Sequence, residues 1–274
     1  MLKIESRDNQ RIKQVRKVRK GREENLIFVE GVRLTEEVLR SGLRIEEVFI
    51  KEFFAAGERG KQLIERILTK QITVVEVAGE IFDSLSDTKT SQGVILICEK
   101  PETGKAIVEK NLQENLQKFP LLILLHQINN PSNLGAILRT AEAVDISGVI
   151  LTKNSADVFS PKALRSAMGA SFRLPIWTNA DFFEVLSWAE EKHFVSVCAD
   201  INAGKSYLEI DWKKPRLLIF GSEAHGLSAV ERKEIEESLI IPMENDVESL
   251  NLAVSCGVIL FEAKRQYGSN KHDF

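Results

Sequence analysis

Three times in this chain an aliphatic run stops at a polar loop, and that pattern constrains the fold more than any other feature of the sequence. The run 217–220 (LLIF) ends in Gly221-Ser222-Glu223, and the run 239–241 (LII) ends in Pro242 and a polar loop. The run 121–128 (LLILLHQI) leads into Asn129-Asn130-Pro131-Ser132-Asn133. A nearly continuous aliphatic run reads as a strand buried on both faces, the habit of parallel sheets covered by helices. Ligands in open α/β sheets bind at the carboxyl ends of the strands. The three loops are therefore expected to meet at one site. A helix over 249–266, opened by Ser249-Leu250-Asn251, follows the last of them and carries small residues at Ala253, Ser255, Gly257 and Ala263.

Upstream, β-prone runs at 26–29, 45–50, 72–77 and 93–98 alternate with helical patterns ending near 40, 69 and 85. Such alternation implies an α/β layer with a substantially parallel sheet. Between 99 and 119 the composition turns charged, and Pro101 and Gly104 break the chain. This divides it into a domain over 1–100, a linker over 101–118 with a helix from 105 to 117, and a domain over 119–274. Residues 1–22 hold nine Lys or Arg against Glu5 and Asp8. Ile12, Val15 and Val18 recur there at helical spacing, so a basic helix is expected to pack on one side and offer charge to phosphate on the other. The polar loop 86–93 carries Lys89 and Gly93, and serves either as a plain connection or as a contact with RNA.

Several function classes are disfavoured. No apolar run approaches the ~18 residues of a membrane span, and the first residues have no apolar signal core, so a cytoplasmic protein is expected. Cys98, Cys198 and Cys256 are an odd, widely spaced set without a CxxC, which argues for buried thiols rather than a disulfide frame or a metal site. The four His residues have no metal spacing, although His225 stands in the 221–226 loop as a ligand contact or a spacer. Neither GxGxxG nor GxxxxGKS occurs, so a nucleotide triphosphate or nicotinamide enzyme is poorly supported.

Three motifs taken together resemble the SpoU/TrmH family of RNA ribose 2′-O-methyltransferases, in the SPOUT superfamily. They are NPSNLGAILRTA (130–141), FGSEAHGLS (220–228) and IPMENDVESLNL (241–252), with SAMGASFRLPI (166–176) between the first two. Phe28-Val29-Glu30-Gly31 with Arg33, and Ser91-Gln92-Gly93-Val94, resemble the family's accessory substrate-binding domain, itself like certain RNA-binding ribosomal proteins. Asn245 departs from the family, which usually has glycine there. Asn tolerates the left-handed conformation, so the loop is expected to keep its shape.

The resemblance implies a ribosomal-protein-like α/β RNA-binding domain followed by a SPOUT α/β domain with a deep trefoil knot. It implies S-adenosyl-L-methionine as cofactor, with Gly221, Ile241 and Leu250 as its binding residues. It implies a catalytic set of Arg139, Asn133, Glu223, Ser249 and Asn251. Arg139 is expected at the ribose oxygen and its phosphate, orienting the phosphate and stabilising the alkoxide. Glu223 is expected to orient Arg139, and Ser249 and Asn251 to bond the ribose or cap the last helix. The partners implied are RNA, with 23S rRNA first, and a second copy of the chain through the last helix, with no membrane and no metal. The alternatives are the same chemistry on tRNA, and a non-catalytic RNA-binding or ribosome-assembly protein.

Overall fold

The computed structural model describes residues 2–115, 119–245 and 247–268. It divides into two compact units: residues up to Pro101 with Val158–Phe172, and Glu102–Asp157 with Arg173–Phe274. None of the described helices is long and apolar enough to cross a membrane.

The first unit runs β1 (Leu2–Ile4), α1 (Gln10–Arg19), β2 (Leu26–Glu30), α2 (Val32–Ser41), β3 (Ile45–Lys51), α3 (Glu58–Thr69), β4 (Val74–Val77), α4 (Gly79–Leu85) and β5 (Val94–Glu99). Its sheet order is β1-β4-β3-β5-β2. Strands β1, β4 and β3 are parallel, but β5 runs antiparallel to both β3 and β2, so the sheet is mixed rather than substantially parallel. The reason lies in the connection before β5. The buried Glu30 carboxylate, at the end of β2, accepts from the Ser86 hydroxyl, from the Asp87 N–H at 2.8 Å and from the Thr88 hydroxyl at 2.9 Å. The loop 86–93 is thereby held at the end of the sheet where β4 finished, and β5 has to start from there. A buried carboxylate without such donors would carry the full desolvation penalty.

The expected basic helix is shorter than 1–22. Leu2–Ile4 pairs instead with β4, and the helix starts after Asn9, whose side chain accepts the Arg11 N–H at 2.9 Å. An N-cap of this kind satisfies a donor that the first turn leaves open. Ile12, Val15 and Val18 are buried in a core with Phe28, Phe49 and Phe82, as their spacing implied. Much of the charge, however, is spent on structure. Arg11 pairs with Glu47 at 2.8 Å, and Arg19 donates to the carbonyls of Leu85 and Ser86, both at 2.8 Å, where α4 ends. Lys17, Lys20 and Arg22 stay exposed, with no ion pair among the described residues.

The second unit begins with α5 (Lys105–Glu114), β6 (Phe119–Leu125), α6 (Pro131–Ala143) and β7 (Ile146–Thr152). The next helix, α7 (Pro161–Ala167), belongs to the first unit by its contacts. The second unit resumes with β8 (Ile176–Ala180), α8 (Phe182–Glu191), β9 (Val195–Ala199), β10 (Arg216–Phe220), α9 (Ala229–Lys233), β11 (Glu237–Leu239) and α10 (Leu252–Gly268). The segment expected as a linker thus contains a packed helix, since Val108 of α5 is buried in the core of the second unit. That helix ends at Glu114 rather than 117, and residues 116–118 lie outside the described residues.

The second sheet is parallel throughout, in the order β11-β9-β10-β6-β7-β8. Residues 121–125 and 217–220 are all fully or almost fully buried, as two-sided burial of central parallel strands requires. The chain leaves β6 toward β7 and β8 on one side and returns through β9 and β10 on the other. The loops after β6 and β10 therefore diverge from neighbouring strand ends, which is the switch point where open sheets take ligands.

Candidate active site

The loops after β6, β9 and β10 and the segment 240–255 enclose a cavity of about 820 Å³. That lies within the ~300–1,000 Å³ range of small-molecule and cofactor sites. Its apolar wall includes Phe220, Leu227, Ile240, Ile241, Leu250 and Leu252, with polar groups of Asn133, Asp200, Glu223 and Asn251 at intervals. Gly221, Ile241 and Leu250 all line it, as do Asn133, Glu223, Ser249 and Asn251. Arg139 does not. It stands exposed on α6, with no ion pair among the described residues. His225 also faces the cavity, and its N–H bonds the Ser222 hydroxyl at 3.2 Å.

Three side-chain links tie the three motif loops together. The Asn133 amide donates to one Glu223 carboxylate oxygen, and the Asn130 N–H donates to the other at 3.2 Å. The Asn251 amide donates to the Asn133 side-chain oxygen at 3.2 Å, while the Asn251 oxygen accepts the Ala253 N–H at 2.9 Å. Two expectations change in consequence. Asn130 caps α6, because Pro131 takes the first helical position, and the Asn130 oxygen accepts the Ser132 N–H. Asn133 is left free to face the cleft. Glu223 serves Asn133 and the cap of α6 rather than Arg139. The last helix begins at Leu252, not 249, so that Asn251 is its cap and Ser249 stays in the exposed loop. Asn245 has φ +58°, the left-handed conformation expected of it.

Gly221 is required by a close approach. A side chain there would come within 2.4 Å of the Gly226 carbonyl carbon and 2.6 Å of the Leu227 nitrogen. Two backbone bonds, Ser222 N–H to Gly226 O at 3.1 Å and Gly226 N–H to Ser222 O at 2.9 Å, close the loop over that contact. Behind the loop, buried His126 joins the end of β6 to its neighbours. Its Nε2 is 3.1 Å from Glu231, and its Nδ1 is 3.2 Å from the Thr152 hydroxyl. Burial lowers the His126 pKa against the pull of Glu231, so the ring is neutral at pH 7 and links the two as donor and acceptor. Burial pushes the Glu231 carboxyl up, but the Ser228 N–H and hydroxyl, with His126, hold it below its ordinary value.

Asp200, also at the cavity, was missed in the sequence. It ends β9 and takes Arg232 at 2.6 Å. The strand-end rule used for the other three loops applies equally to β9 and would have found it. The cysteines take no part. Cys98, Cys198 and Cys256 are buried, and burial raises the first two thiols to about 12 and about 11 and the third as well. Among the described residues no cluster of His, Cys, Asp or Glu could hold a metal ion.

Residues 120–261 match the model of the SpoU rRNA methylase family, and residues 9–96 match an MRM3-like substrate-binding domain. The chain is 31% identical to an uncharacterised tRNA/rRNA methyltransferase of Synechocystis over 96% of this chain and 93% of that one. It is 27% identical to the 23S rRNA (guanosine(2553)-2′-O)-methyltransferase of Bacillus subtilis over 96% of this chain and all of that one. The crystal structure of an AdoMet-bound rRNA methyltransferase from Sinorhizobium meliloti superposes with a TM-score of 0.81 at 26% identity, covering 96% of this chain and 97% of that one.

Proposed function

The chain belongs to the SpoU rRNA methylase family and is an S-adenosylmethionine-dependent RNA methyltransferase, and we propose that it methylates a ribose 2′-oxygen of 23S rRNA. The observation that carries this reading is the Asn133–Glu223–Asn251 network, which brings all three motif loops to one cavity. The Bacillus relative, whose name specifies a 2′-O position in 23S rRNA, supports the choice of RNA.

The cavity fits the cofactor in character: an apolar wall suits a flat adenine, and polar groups stand at its rim. Gly221, Ile241 and Leu250 would hold it, and it supplies a methyl group already activated on a sulfonium. What remains for the protein is mostly placement of the acceptor oxygen. Asn133 and Asn251 lock each other and Glu223 into one geometry, so the ribose meets groups that need not reorganise. Among the described residues Arg139 has no ion pair that it would have to give up, and its planar fork suits a phosphate. A guanidinium does not deprotonate in proteins, so Arg139 acts by orienting the phosphate and stabilising the emerging alkoxide rather than as the base. We carry over the knotted C-terminal topology with this reading. The return of 241–251 to a cleft between strands that come earlier in the chain supports it.

The direct test is transfer of label from S-adenosylmethionine to unmodified 23S rRNA, 16S rRNA and tRNA. Label in 23S rRNA as 2′-O-methylribose is expected. Label confined to tRNA, or on a base, overturns the assignment.

A homodimer through α10 belongs to the same proposal. Val254 and Phe261, seven residues apart on α10, are 51% and 57% exposed. Two such residues two turns apart form an apolar stripe with Val258 between them. Light scattering at micromolar concentration is expected to give twice the chain mass, and the chain mass alone for Phe261→Glu. A monomeric wild-type chain removes the dimer.

A further inference from the structure

The first unit carries a second feature that the methyl-transfer site does not use. Phe53 follows β3 and is 86% exposed, and its backbone sits in the left-handed region at φ +63°. Both properties are unfavourable for phenylalanine. A large aromatic ring left in water forgoes its burial, and a bulky residue at positive φ is an outlier. Strain of this kind persists only where the surroundings over-determine it, and it clusters at ligand contacts.

Here the surroundings do over-determine it. On one side the Glu52 N–H bonds the Val77 carbonyl at 3.2 Å. On the other, the Phe54 ring packs on Gly93, and the Phe54 carbonyl lies 2.2 Å from where a Gly60 side chain would begin. Gly93 itself has φ +79°, and the Lys51 N–H bonds its carbonyl at 2.9 Å. The backbone on either side of Phe53 is thus fixed, and the ring stands in solvent.

Two cations share this end of the sheet. Arg33 follows β2 and Lys89 lies in the loop before β5; both are exposed, with no ion pair among the described residues. Gln92 of the same loop accepts the Val32 N–H at 2.9 Å, which joins the two segments. An exposed aromatic ring at the same end of a sheet as exposed basic residues is the recognition chemistry of single-stranded RNA, whose unstacked bases lie on aromatic faces.

We propose that Phe53 is a stacking platform for an unpaired base of the RNA substrate, with Arg33 and Lys89 taking the neighbouring phosphates. This rests on the reading of the chain as an RNA methyltransferase. It adds to that reading an anchoring site built from a loop, an unpaired nucleotide being its ligand. A loop or bulge in the RNA, rather than a continuous helix, is then what the first unit recognises.

The experiment is equilibrium binding of the full chain to unmodified 23S rRNA and tRNA transcripts, with Phe53→Ala, Phe53→Asn, Phe53→Leu and Phe53→Trp. Asparagine tolerates the left-handed backbone, so Phe53→Asn removes the ring and leaves the loop in place. Phe53→Ala and Phe53→Asn are expected to bind roughly tenfold more weakly, the size of one base–aromatic stack. Phe53→Trp should restore affinity and Phe53→Leu should not, because leucine is apolar without a flat π face. S-adenosylmethionine affinity should be the same in all five proteins. Wild-type RNA affinity in Phe53→Ala and Phe53→Asn overturns the proposal. Full recovery by Phe53→Leu also overturns it, and points to a plain apolar contact such as a protein partner. A wild-type chain that binds a transcript but transfers no methyl group overturns the proposed function instead, and the Phe53 comparison still reads out.

Discussion

Arg139→Ala is expected to lower methyl transfer to RNA by 10²–10³-fold while leaving S-adenosylmethionine affinity unchanged. The magnitude is that of removing one preorganised group that stabilises charge developing in the transition state, roughly 3–4 kcal/mol. The separation of the two effects follows from the structure. Arg139 does not line the cavity, and it makes no ion pair among the described residues, so its loss disturbs neither the cofactor wall nor a structural link. Arg139→Lys is expected to recover only part of the loss, because an ammonium lacks the planar fork that meets two phosphate oxygens. Single-turnover methylation with saturating cofactor, beside calorimetric titration of the cofactor alone, separates the two quantities. Near-normal transfer by Arg139→Ala would sink the assigned role. A parallel loss of cofactor affinity would make Arg139 a structural residue instead.

The second large effect is at Gly221. Gly221→Ala places a carbon where backbone atoms of Gly226 and Leu227 already lie, at 2.4 and 2.6 Å. Backbone cannot swing aside as a flexible side-chain end can, so the 221–226 loop has to open. The two bonds between Ser222 and Gly226 are the ones that would break. Cofactor affinity is expected to fall on the order of a hundredfold, the upper end of the ~1–3 kcal/mol that overpacking costs. The melting temperature should fall little, because Ser222 to Gly226 are only partly covered or exposed and the sheet beneath does not depend on them. Isothermal titration and a thermal melt on the same preparation give both numbers. An alanine variant that binds cofactor like wild type would mean that the loop has room that the geometry denies it.

Both predictions concern residues named from the sequence, yet their geometry was legible to different degrees. Gly221 was readable because its neighbours are local: a strand end, a tight turn and a return to Leu227 within six residues. Arg139 was readable only as a member of a motif. Its helix was evident, but its distance from the cleft depends on how α6 leaves β6. Glu223 shows the limit most clearly. As an acid in a motif loop it was expected to orient Arg139, whereas the structure gives it to Asn133. Chain separation favours neither, since Asn133 is 90 residues away and Arg139 is nearly as far. Placement of α6 decided for Asn133.

The same limit explains the differences in the first unit. Antiparallel β5 follows from the buried Glu30 carboxylate, which recruits a loop more than fifty residues downstream. Nothing in the hydrophobic pattern of residues 93–98 distinguishes a parallel from an antiparallel partner. The three residues of β1 fell inside a charge run and were expected to be helical, because one short strand buries only Ile4 and leaves no periodicity to read. The basic side chains of α1 were counted as free for phosphate. Folding brings Glu47 and the end of α4 against them, and several are spent there.

By itself, then, the sequence determined what depends on neighbours along the chain. Aliphatic runs without alternation specified buried strands, glycine and asparagine marked the turns, and three short motifs named the family and the loops that line one cavity. Only the tertiary structure decided which loops touch, which of two possible partners each polar group takes, and which charges remain for RNA. The physical reason is that a side chain's hydrogen bonds and burial are set by atoms from distant segments. Those atoms are assembled by packing, and no local pattern records their final distance.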